Sequence, residues 1–450
     1  MRYRAQQLPN SAGSATLMAM QGRDLGGPPS ELAPDEVAEA RAMLRRSDVA
    51  ARRTALGLVD GWAGKRLAPG AASAVLRAST VSYPWLRGER ADPADRLARL
   101  LWAEPRALPV TEVEGAYLVA GERVRRSLLH LLALRRDGEG LASVEFLIGP
   151  DGPTDLLPLP TTGLLDPVLD VPDATLLVPA LVSVSRRRGW AWHASEVLEG
   201  LVASDRLDGS SKLFVVNGMA PLVVDLVDAC DRVVALPGER GDPTRADRHR
   251  LRAVVRVLAA LPDPRTTTVL LRALSAVDPR VAVHGACALV GQGHPVAPER
   301  LGIIARDAEA RGDLLDGLES RGLLGLVPSA VRDGRARAES DLVRWLAGER
   351  ELGRPPDELE HVASVAAGDD PGAGEVHMFR FRVRAPHWSC ARGWMIGAAG
   401  PYLPDGSRGS GVAPFASSLY GAEDEDGPDG HLEAILGSLC DGPEPGDGPT

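Results

Sequence analysis

The sequence predicts a mainly α fold: an α-solenoid of stacked helical hairpins followed by a small C-terminal α+β module. Three observations carry that prediction. The first is internal similarity. "RSLLHLLALRRDGEGLASVEFLI" from Arg126 aligns without a gap on "RAVVRVLAALPDPRTTTVLLRAL" from Arg252, 126 residues later. The second is composition. Aromatics make up only 4% of a chain that is 44% apolar, so the core must be Leu, Val and Ala, which suits closely packed helices. The third is an abrupt change at His377. "HMFRFRVRAPHWSCARGWMIGAAGPY" gathers Phe379, Phe381, Trp388, Trp394 and Tyr402 in one short stretch with period-two alternation.

The elements follow in order. Residues 1–30 are polar and Gly/Pro-containing and are expected to be a disordered lead. Helical spacing begins at Pro34 with Val37, Ala40, Met43 and Leu44. Helices are then predicted near 49–62, 69–78, 92–103, 110–135, 140–148, 175–187, 193–204, 220–235, 246–260, 265–276, 279–290, 298–310, 312–320 and 339–350, with Pro, Gly and Asp in the breaks. The two aligned segments each read as a helix, a short Asp turn and a second helix. Leu128, Leu129, Leu131 and Leu132 match Val254, Val255, Val257 and Leu258, while Asp137 matches Asp263. A hairpin of this kind buries both apolar faces only by stacking on another. A second pair, "DVAARRTALGLV" from Asp48 and "DPRVAVHGACALV" from Asp278, opens each helix with an Asp cap. Ala51, Ala55 and Leu58 stand against Val281, Gly285 and Ala288, where small residues allow close helix approach.

These segments resemble HEAT-type repeats, over residues 34–80, 120–148 and 246–292. Arg52 fits the Arg that often follows the first apolar position in that family, whereas Ala282 departs from it. The resemblance implies an α-solenoid over 31–350 that offers a long curved surface to a partner. Many unrelated binding roles share that architecture, so a function does not follow from it. Within the array, "KLFVVNGMAPLVVDLVDACDRVVALPG" could read as a nucleotide-binding strand and turn. It lacks the Gly-x-Gly-x-x-Gly pattern, and Leu222, Leu226, Cys230 and Val233 share one helix face, so a helix is expected. Residues 351–374 are read as a linker, 375–440 as the small module and 441–450 as a disordered tail.

Charge is unevenly placed. Nine of the ten excess negative charges lie in residues 421–450, which carry no Lys or Arg, so the body is close to neutral. Acidity of the whole chain therefore does not exclude an anionic partner. Cys230, Cys287, Cys390 and Cys440 are widely spaced and suggest no disulfide framework. No signal peptide, membrane span or membrane partner is expected, and a cytoplasmic location is the default.

Several clusters hold residue types capable of chemistry. Alternation in the first strand puts His377, Phe379, Phe381 and Val383 on one face and Met378, Arg380, Arg382 and Arg384 on the other. "GWMIGAAGPY" is its expected antiparallel partner. The Arg face is a candidate surface for an anionic peptide, a nucleic acid or the acidic tail. Arg186, Arg187 and Arg188 before Trp190 and Trp192 form a second candidate, since Arg and Trp can hold phosphates and stack on bases. His387 and Cys390 have the spacing of half a zinc site, but four N or S ligands are needed and His377, His431 and Cys440 lie far along the chain. No metal or cofactor is expected. The function read from the sequence is a scaffold or adaptor that binds another protein or a peptide. A nucleic-acid binder is the alternative, and an enzyme using the C-terminal Cys/His residues is the third.

Overall fold

The computed structural model of the protein describes residues 5–7, 31–46, 48–84, 92–187, 189–234, 244–348, 351–368, 372–383, 394–408 and 415–419. In chain order the elements begin with β1 (Ala5–Gln7), β2 (Glu31–Leu32), α1 (Pro34–Leu44), α2 (Val49–Gly61), β3 (Arg66–Leu67), α3 (Ala71–Ser79), α4 (Pro93–Leu100), α5 (Val110–Val119), α6 (Glu122–Leu134) and α7 (Gly138–Ile148). After short 3-10 turns come α8 (Val178–Val184), α9 (Ala191–Ala203), α10 (Gly209–Val234), α11 (Arg245–Ala259), α12 (Pro264–Leu274), α13 (Pro279–Gly291), α14 (Pro298–Ile304), α15 (Ala308–Glu319) and α16 (Gly334–Leu346). Strands β4 (Glu358–Ala366), β5 (Glu375–Arg382), β6 (Met395–Tyr402) and β7 (Phe415–Leu419) complete the chain. The fold is mainly helical with a small antiparallel sheet module, as the sequence predicts.

Two compact units divide the residues. One holds Met20–Val223 and His249–Thr266; the other holds Met1–Ala19, Val224–Arg248 and Thr267–Thr450. Of the predicted disordered lead, only β1 lies among the described residues. The predicted tail, the acidic run, Arg188, Arg384, His387 and Cys390 lie outside them.

In the first unit consecutive helices pack pairwise, α1 on α2, α5 on α6 and α6 on α7. The Asp turn does what the sequence requires: Asp137 accepts the Gly140 N–H at 2.8 Å and so caps α7, and Asp263 accepts the Arg265 N–H at 2.8 Å where α12 begins. Predicted helix 110–135 is broken in two. Ala120 is extended and Gly121 precedes α6, so the apolar run turns a corner that periodicity alone hides. Conversely, residues 209–234 form one 26-residue helix with Pro221 inside it, longer than the predicted 220–235. By length and composition alone α10 is long and apolar enough to cross a membrane, although Asn217, Asp225 and Asp228 interrupt its apolar residues. Val215, Met219, Val223 and Val227 on it are fully buried, as in a core helix.

An Asp followed four residues later by Arg recurs along the chain, and the pair has a common job. Asp48, Asp92, Asp307 and Asp333 each cap a helix. The Arg one turn on reaches a neighbouring element. Arg52 donates to the Leu44 carbonyl at the end of α1, and Arg96 donates to Asp60 at 2.8 Å. Arg311 donates to Ser340 Oγ at 2.7 Å, and Arg337 to Asp316 and Glu319 at 2.6 and 2.7 Å. Arg52 and Arg337 are buried, so each charge is stable only with these acceptors in place.

In the second unit, α13 packs on α15 and α15 on α16. Gly285 permits close approach to α12: a Cβ there would lie 2.5 Å from the Leu274 backbone nitrogen. The small residue read from the repeat alignment has this cause. The sheet order is β1-β7-β6-β5-β4, antiparallel throughout. Residues 358–366, assigned from sequence to a linker, form β4 and pair along β5. Their glutamates and Pro-rich approach obscure a strand whose partner face is exposed. The sheet is also not separate from the last helix. Ala338, Leu342 and Leu346 of α16 share one core with Phe379, Phe381, Met395, Ala399 and Tyr402. Gly397 makes room for this, since a Cβ would sit 2.8 Å from Leu342 Cδ1. Tyr402 O–H donates to the buried Asp341 carboxylate, which Arg344 also holds at 3.1 Å. Burial raises the Asp341 pKa despite the nearby Arg344 and Arg337.

Candidate functional site

The sheet face carrying Arg380 and Arg382 is exposed, as alternation predicts, but it is not an open cationic surface. Register places Glu360 opposite Arg380 and Glu358 opposite Arg382. Both pairs close as salt bridges, with Arg380 Nε 2.7 Å and Arg382 Nε 2.6 Å from their glutamates. The two guanidinium groups also lie over the Trp394 ring, 4.6 and 5.0 Å from its centroid. The acids come from β4, within the residues 351–374 that the sequence predicts as a linker. Met378, assigned to the same outer face, is buried instead, because the second face of β5 is covered around Val376, Ala398 and Phe415.

The second predicted cluster is likewise engaged with its own chain. Trp190 is 2% exposed and its indole N–H donates to the Pro158 carbonyl at 2.9 Å, so its ring is an internal anchor and not a stacking platform. Trp192 donates to Glu196 at 2.7 Å and lies under Arg256, 5.2 Å from the ring centroid. Burial acts to raise the Glu196 pKa, but the His193 imidazole 3.5 Å away and the Trp192 hydrogen bond outweigh it and hold the carboxyl below its usual range. Arg186 donates to the Gly218 carbonyl at 3.3 Å and Arg187 to that of Thr154. These two arginines tie the end of α8 to neighbouring backbone.

What the sequence reading missed lies at the start of α10. The end of α9, the first turns of α10 and the α11–α12 turn enclose a groove of about 590 Å3, a size in the range that binds small ligands and side chains. Val202, Val216 and Leu261 form its apolar wall, while Asp205, Lys212 and Asp263 mark a polar rim. The local sequence explains this shape. Asp205 adopts a left-handed conformation, φ 50°, that ends α9. Asp208 then caps α10, accepting the Ser211 N–H at 2.7 Å, and that hydrogen bond chiefly holds its carboxyl below the usual range. Lys212 Nζ rests 3.0 Å from Asp205. On the same turn Leu213 and Phe214 are 45% and 47% exposed. Leu213 lines the groove and Phe214 is its neighbour in the chain. The signal in the sequence was "SSKLFVV" after "SDRLD": an ST-rich cap followed by apolar residues too continuous for one buried face.

The groove lining offers two carboxylates, one ammonium and aliphatic side chains, with no imidazole, thiol or hydroxyl among them. Among the described residues no three His, Cys, Asp or Glu side chains converge as metal ligands.

Taken together, the described residues define a mainly helical protein with a small antiparallel sheet and an open groove at a helix start. No protein-family model matches the chain, and no curated protein matches it. Among solved structures, the chain is similar to one in the complex of CpcE and CpcF of phycocyanin lyase from Nostoc sp. PCC7120. The identity is 13%, the match covers 68% of this chain and 98% of that one, and the TM-score is 0.26. The fold described above rests on the protein's own elements and not on this likeness.

Proposed function

We propose that the protein is a HEAT-like α-solenoid that works as an interaction module, taking an apolar side-chain segment of a partner protein into the groove at the start of α10. The observation that carries this is the juxtaposition of the groove with exposed Leu213 and Phe214. Arg186, Arg187, Trp190, Trp192, Arg380 and Arg382 are engaged within the chain, whereas Leu213 at the groove is half-exposed. The HEAT-like reading is supported by the Asp-capped hairpins and by the Asp-to-Arg spacing of four residues that ties neighbouring helices. Surface complementarity supplies the mechanism, with the apolar wall giving affinity and the Asp205, Lys212 and Asp263 rim giving orientation.

A photo-crosslinking residue placed at Leu213, with a second at the exposed and unrelated Val119 as control, tests the proposal in the cells that make the protein. Crosslinking of a discrete protein from position 213 and not from 119 is the expected outcome. Equal or absent crosslinking at both positions contradicts it.

A further inference from the structure

We propose that Ser364 is a nucleophilic hydroxyl that accepts acyl groups from activated carboxylic esters, with His361 as its base and His377 as the residue that holds it in place. The inference is independent of the groove.

The arrangement starts from a defect in β4. Residues three apart on a regular strand point to opposite faces. A register shift between His361 and Ala363 interrupts β4, so that His361 pairs with Phe379 while Ser364 pairs with His377. Phe379 and His377 lie two apart on β5 and share a face, so the bulge brings His361 and Ser364 to that same face. The result is one hydroxyl between two imidazoles. Ser364 Oγ lies 3.0 Å from His361 Nε2 and 2.7 Å from His377 Nδ1.

The three residues differ in exposure in the way the roles require. β4 is the outer strand of the sheet order, and Ser364 and His361 are exposed there. His377 is 4% exposed and its Nε2 has no hydrogen-bond partner. Its ring sits beside Gly334, the first residue of α16, where a Cβ would come within 3.3 Å of Nε2. His361 is oriented in turn: its ring packs edge-on against Phe379, 5.4 Å between centroids at 73°, and it engages the backbone of Ala363. A nucleophile, a base within hydrogen-bond reach and a third group fixing the base form the general signature of an activated hydroxyl.

Both imidazoles are neutral near pH 7. Burial holds His361 below its ordinary range, aided by Arg335 and opposed by the Ala363 backbone, Glu339 and Glu375. Burial, with His361 next, lowers His377 to about 4, against the pull of Asp333. With His377 Nδ1–H donating to Ser364 Oγ, the serine proton points to His361 Nε2. In the reaction, Oγ attacks the ester carbonyl carbon and its proton passes to His361 Nε2. The C–O bond to the alcohol breaks as that proton returns to the leaving oxygen. Water then attacks the acyl-serine by the same route, releasing the carboxylic acid and restoring the hydroxyl. No electron transfer is involved.

The test uses the full chain with p-nitrophenyl acetate and with a fluorophosphonate probe, followed by peptide mass spectrometry. A fluorophosphonate adduct on Ser364 is expected in folded protein and not in urea-unfolded protein. Nitrophenol release should fall at least tenfold in Ser364→Ala and in His361→Gln, two exposed positions at which circular dichroism should not change. The wild-type rate should rise with pH and reach its plateau below the ordinary imidazole range, as His361 becomes the free base. An adduct confined to other serines, or wild-type rates in either variant, overturns the proposal.

Discussion

Two regions of this protein carry side chains that look built for recognition, and they differ in what those side chains touch. On the sheet, Arg380 and Arg382 are exposed, yet each is bound by a cross-strand glutamate and stacked over Trp394. At the start of α10, Leu213 and Phe214 look ordinary in sequence, yet they stand in water beside a groove. The lesson is that residue type does not make a binding surface. An arginine whose charge and donors are already matched offers little to a ligand, whereas an unmatched leucine beside a cavity offers buried area worth about 25 cal/mol per Å2.

This comparison can be broken in several ways. The largest effect is expected beneath the sheet. Arg337→Ala removes a buried guanidinium from Asp316 and Glu319 and should cost about 3–5 kcal/mol of unfolding free energy by urea titration. A loss under 1 kcal/mol would mean that the ladder under the sheet is not structural. Acid should act next. The folded-state pKa of His377, about 4, lies below the unfolded value of about 6.5, so the unfolded chain binds the proton first. Stability is therefore full above about pH 6.5 and declines as pH falls toward 4, by up to about 3 kcal/mol. His377→Gln should flatten that part of the stability–pH curve. Leu213→Asp with Phe214→Asp should weaken partner binding at least tenfold while costing only about 1 kcal/mol of stability, because each side chain is about half exposed. The smallest effect belongs to Arg380→Ala, an exposed pair expected to contribute under about 1 kcal/mol, with no change in binding at the groove.

Much of the helical part was legible, and for a local reason. Asp48, Asp137, Asp263 and Asp278 each announce a helix start, and their carboxylates make the capping hydrogen bonds that the pattern implies. The strand pair β5 and β6 was legible from the alternation of Phe379, Arg380, Phe381 and Arg382. What stayed hidden depends on partners distant in sequence. β4 carries Glu358, Glu360 and His361 among its apolar residues, and its identity as a strand comes from pairing with β5. The Asp333 cap and Arg337 look like a solvated helix start until Asp316 and Glu319 are placed around them. The groove was missed for a similar reason. Asn217, Gly218 and Pro221 suggest a turn, so the helix was started too late and Leu213 and Phe214 had no face to be exposed on.

The central claim, that binding uses the groove and not the sheet's arginines, is tested most directly by selecting peptides from a random displayed library on the full-length chain. Their affinities are then compared across Leu213→Asp/Phe214→Asp and Arg380→Ala/Arg382→Ala variants. Peptides sharing an apolar anchor are expected, losing at least tenfold in affinity on the first variant and binding the second as they bind the wild type. Peptides rich in acidic residues that bind the first variant normally and fail on the second would contradict it.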